Sequence, residues 1–112
     1  ESLFKASNAI AEARGSDQVA AAARDAAVAI EYHLDTLARE LATRDAVDPG
    51  LRSRAEDVET RLRALLSACW EYQRLAPTDP DRVADFVRDM RSVASQEVDL
   101  VFAQLNGPSA LD

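Results

Sequence analysis

Glycine, proline, cysteine and aromatic residues are all scarce in this chain. Among 112 residues there are three glycines, four prolines, one cysteine and one histidine, and aromatics make up 5%. Each scarcity excludes something. A single cysteine forbids an internal disulfide and any zinc site built on several thiolates. A single histidine forbids the multi-histidine metal centres found in some helical bundles. Glu31 stands two residues before His33, not three, so no Glu-x-x-His pair is available for a di-iron site. No phosphate-binding glycine loop and no nucleophile with a base at hand is present. No apolar run reaches the roughly 20 residues that a bilayer span requires. No basic-then-apolar leader opens the chain, and the expectation is a soluble protein, with the cytoplasm slightly favoured. No cofactor and no metal is expected, and catalysis is not the favoured role.

What the chain does have is helix-forming, amphipathic sequence. Hydrophobic residues are 47% and charged residues 29%, a composition that folds as one domain of this length. Twenty acidic residues outnumber thirteen basic ones, giving a net charge of −7. A surface of that sign repels phosphate backbones and anionic lipid, so neither nucleic acid nor a membrane is an expected partner.

The organising stretch runs from Leu51 to Ala76. Leu51, Ala55, Val58, Leu62, Leu65, Cys69, Tyr72 and Ala76 recur at alternating spacings of four and three, one stripe of a helix. Leu66 and Trp70 widen that stripe. A second stripe, Val19, Ala23, Ala26, Ile30, Leu34, Leu37 and Leu41, predicts a helix over 17–47. A third, Val83, Phe86, Val87, Met90, Val93, Ala94, Val101 and Leu105, predicts one over 80–105, stopped by Asn106-Gly107-Pro108. A shorter helix is expected over 2–14, with Leu3, Ser7 and Ile10 inward and Phe4 and Ala11 as further inward candidates. Gly15 supplies a left-handed turn, with Ser16 or Asp17 capping the second helix. Asp48-Pro49 and Asp79-Pro80 each pair an N-cap with a first-turn proline and so open helices over 49–76 and 80–105. The expected fold is all-α: an up-down antiparallel bundle of three long helices plus a shorter N-terminal one, resembling a four-helix bundle in outline.

Two groups of residues stand out as candidate sites. Trp70 on the edge of its stripe, with Leu100 and Phe102 where the last helix turns apolar on most sides, forms a candidate protein interface. Glu97 is in register with Met90, Ala94 and Val101, where an apolar side chain is expected, and His33 is an available partner, so the pair is a candidate polar or ligand pocket. The favoured function is a non-catalytic interaction module: a scaffold, adaptor or dimerisation domain of a larger protein, self-association included. The alternative is a ligand-responsive regulatory bundle with a small pocket at His33 and Glu97. A histidine phosphotransfer role ranks third. Around His33 that chemistry wants a nearby lysine and a small residue, and this chain has Thr36, Leu37 and the acids Glu31 and Asp35.

Overall fold

The computed structural model describes residues 2–43, 49–75 and 77–111, with side chains described for all of these except 43 and 102–111. Four helices occur in order: α1 (Leu3–Glu12), α2 (Gly15–Thr43), α3 (Pro49–Arg74) and α4 (Pro80–Leu111). No strand occurs among the described residues. The all-α, four-helix reading of the sequence is the observed fold.

Local chemistry sets most boundaries. Ser2 caps α1, its Oγ accepting the Lys5 N–H at 3.1 Å. Asp79 caps α4, its carboxylate accepting the Asp81 N–H at 2.9 Å, with Pro80 as the first helical residue. Gly15 takes φ +82, the left-handed conformation that separates α1 from α2. The cap of α2 differs from expectation: Ser16 and Asp17 already lie in the first turn. Gln18 reaches back instead and accepts the Arg14 N–H at 2.7 Å, as in a capping box. At the other end of the chain, α4 runs through Asn106-Gly107-Pro108 to Leu111. Pro108 has no N–H to donate to the Gln104 carbonyl, so the helix runs on there without that bond. Residues 44–47 of the expected second helix, and Asp48 and Ala76, lie outside the described residues.

Each helix packs against its sequence neighbours, α4 also packs against α1, and among the described residues no backbone approach joins α2 to α4 or α1 to α3. That is a square of helices with α2 and α4 on one diagonal. Asp57–Gln96, Arg61–Ser92 and Glu71–Arg82 contacts fix α3 antiparallel to α4. Arg91 reaches Ser7 and Asn8 at 3.3 and 2.8 Å, and the end of α1 (Ile10, Ala11) shares a groove with the start of α4 (Pro80, Val83, Ala84), so α1 is antiparallel to α4 as well.

The core is the three predicted stripes closed on one another. Ala55, Val58, Leu62, Leu65, Leu66, Cys69 and Tyr72 of α3 are buried, as are Val19, Ala23, Ala26, Ile30 and Leu37 of α2. Tyr72 tilts against Phe86 of α4 with ring centroids 5.3 Å apart. In α1, Leu3, Ala6, Ser7 and Ile10 face inward, whereas Phe4 is 40% exposed and Ala11 lies outside. Arg61 does not pair with Asp57 one turn before it. It crosses to Gln96 and Ser92 and ties α3 to α4.

Candidate interaction face beyond the start of the first helix

Helix α1 has 10 residues and so is about 15 Å long, while the bundle extends 53 Å. The register set by Arg91 with Ser7 and Asn8 places the start of α1 about level with the Ala94 turn of α4. Below that level four helices surround the core. Above it the corner between α2 and α4 has no fourth helix among the described residues.

The exposure of α4 tracks this step. Val101 lies seven, eleven and eighteen residues after Ala94, Met90 and Val83, and therefore on their face of the helix. Met90 and Ala94 are 0% and 2% exposed, but Val101 is 48% exposed. Val98, one turn after Ala94 and seven residues after Arg91, continues the side that meets α1 and is 57% exposed. The inward assignment of Val101 is thus corrected: its face is right, but α1 starts about level with Ala94 and no other described helix covers the turn beyond. Phe4, in the first turn of α1, adds exposed aromatic surface at the same level. Tyr32 on α2 does likewise, its ring edge-on to His33 with centroids 5.9 Å apart.

His33 and Glu97 meet at this step. His33 Nδ1 and Glu97 Oε2 are 2.7 Å apart, and their side chains are 20% and 19% exposed. The contact spans the diagonal of the square, joining α2 to α4 where their backbones stay apart. It explains the polar residue at a core register position: two half-buried polar groups satisfy each other. A carboxylate accepting from an imidazole makes a charge-assisted bond when the ring is protonated.

The other three candidates are not brought together. Leu100 is 2% exposed and belongs to the core; it lies seven residues after Val93, on the side of α4 that faces α3, and so is no surface contact. Trp70 is 52% exposed, next to Glu71, which pairs with Arg82. That register sets Trp70 roughly 25 Å along the bundle from Leu100. The side chain of Phe102 lies outside the described residues. Val98 and Val101 take the place of Leu100 as the exposed apolar residues of α4 here: a stripe alone does not reveal which of its turns a short neighbour reaches.

Two titrating groups are displaced, and both are core groups. Burial pushes the Cys69 thiol up from 9.0 to about 12, which leaves it protonated and unreactive at neutral pH. Burial also raises the Tyr72 hydroxyl, opposed by Arg82, whose guanidinium lies 6.0 Å from the ring centroid. Among the described residues no group of three His, Cys, Asp or Glu side chains could hold a metal ion, and no helix is long and apolar enough to cross a membrane. Comparison of the chain with protein-family models, with curated proteins and with solved structures finds no match in any of the three.

Proposed function

We propose that this chain is a non-catalytic helical-bundle interaction module, a scaffold, adaptor or dimerisation domain, that docks through the α2–α4 corner above the start of α1. The half-exposure of Val101, on the same helical face as fully covered Met90 and Ala94, is the observation that supports this reading. Apolar side chains left uncovered on an otherwise buried stripe favour association with another apolar surface. Val98 and Phe4 beside it enlarge the patch, and the His33–Glu97 pair sits within it as a polar register mark.

Sedimentation velocity over a concentration series tests it, with the double variant Val98→Asp/Val101→Asp as the control. The expected result is a mass that rises with concentration for the natural chain and stays monomeric for the variant, or binding of an apolar dye that the variant abolishes. A strict monomer at high micromolar concentration that binds no apolar dye overturns the proposal. A ligand-responsive regulatory role at the same level is the second reading, supported by the polar His33–Glu97 contact between helices otherwise held apart. Under that reading a small molecule stabilises the natural chain in a thermal-shift screen and leaves Glu97→Gln unmoved.

A further inference from the structure

A second surface, at the opposite end of α1, carries a different chemistry. A groove of about 620 Å³ opens between α1, the start of α2 and the first turns of α4, within the size range of small-ligand sites. Its walls are apolar: Ile10 and Ala11 from α1, Val19 from α2, and Val83, Ala84 and Val87 from α4. Pro80 and Ala13 also line it. Arg88 and Arg91 stand along the α4 edge, and no acidic residue lines the groove. The rise of α4 from Pro80 to Arg91 gives the groove a length of about 16 Å.

The two arginines differ. Arg88 is already neutralised, with Asp85 at 3.2 Å and Asp89 at 3.7 Å. Arg91 has no carboxylate among the ion pairs of the described residues. Its Nε and Nη2 donate to the neutral oxygens of Ser7 and Asn8, and these bonds hold the guanidinium over the seam between α1 and α4. Nη1 is left uncommitted among the described residues. The arrangement is therefore an apolar channel ending at an oriented, uncompensated cation in a chain whose net charge is −7. Local positive charge against that background is what separates an anionic amphiphile from a neutral or cationic one.

We propose that this groove binds an aliphatic carboxylate, its acyl chain lying along the α1–α4 seam and its carboxylate on Arg91. The site is independent of the docking face above α1. The test is an amide chemical-shift titration of the isotope-labelled full chain with sodium decanoate below its micelle threshold, run beside decanol and decyltrimethylammonium. Saturable shifts are expected at Ala11, Ala84 and Val87, with decanoate about tenfold tighter than decanol and the ammonium amphiphile weakest. Raising salt weakens decanoate and leaves decanol unchanged, a readout that needs no variant. Ala84→Phe fills the groove from an exposed position and lowers decanoate affinity about tenfold or more. Arg91→Gln abolishes the preference for decanoate over decanol, and Arg91→Lys retains part of it. Equal binding of the ammonium amphiphile, shifts centred on Val98 and Val101, insensitivity to Ala84→Phe, or no saturable binding at millimolar decanoate each overturns the proposal.

Discussion

Raising the pH should destabilise this bundle through one thiol. Cys69 is 0% exposed, and its burial moves the thiol from 9.0 to about 12. In the unfolded chain the proton leaves near pH 9; in the folded chain it stays until about pH 12. Between those values the unfolded state binds fewer protons than the folded state, so stability falls as pH rises. Whatever Cys69 contributes is complete below pH 9 and is lost progressively toward pH 12. The slope is about 1.4 kcal/mol per pH unit once the unfolded thiol has titrated, so moving to about pH 10.5 costs roughly 2 kcal/mol. Urea melts of the natural chain and of Cys69→Ala, taken at about pH 8, 9.5 and 10.5, isolate the effect. The variant starts lower by about 1 kcal/mol because it leaves a small void. It lacks the thiol's share of the alkaline slope, so the two stabilities converge and then cross. Tyr72 is raised in the same direction, chiefly by burial, and that part is common to both proteins; the smaller upward push it receives from Cys69 is lost in the variant and adds to the difference in the same sense. Parallel curves over this range would refute the reasoning, as would a native thiol that reacts with a disulfide reagent as fast as an unfolded one.

The remaining predictions concern the helix step, the turn and the core. A double-mutant cycle with His33→Ala and Glu97→Gln should give a coupling of about 1 kcal/mol, modest because each side chain keeps about a fifth of its exposure. No coupling would reduce the contact to proximity. Gly15→Ala should cost about 1 kcal/mol in a chemical melt, and the cost is conformational, since an added Cβ meets nothing within 4 Å but the backbone stays at φ +82. Leu62→Ala, at a position with 0% exposure in the middle of α3, should lose about 2–5 kcal/mol by calorimetry or urea titration.

The long helices are legible because their spacing carries the burial pattern directly. Ala55, Val58, Leu62, Leu65, Cys69 and Tyr72 form one stripe in the sequence and are buried along one stripe in the bundle. The Asp79-Pro80 start and the Gly15 turn are legible for a related reason: both depend on the residue's own geometry and on near neighbours. Long-range matters are not. Glu97 breaks an apolar register and so announces a partner, and His33 is the sole histidine available, yet nothing in spacing says that they meet across a diagonal. The exposure of Val101 depends on where α1 begins relative to α4, a register set by Arg91 with Ser7 and Asn8. The burial of Leu100 depends on which side of α4 receives α3. Helix ends with competing options depart from expectation for local reasons, Gln18 supplanting Ser16 and Asp17, and α4 continuing past Pro108.

The unequal length of α1 divides the molecule into a thick half and a thin half. Met90 and Ile30 are 0% exposed in the four-helix half, so exchange of their amides with heavy water should require the whole bundle to open. Those around Val98 and Val101 sit where one wall is missing, and smaller excursions should release their protons. Rigidity is thus graded along the axis, and whatever settles against the thin half would register there first as slowed exchange.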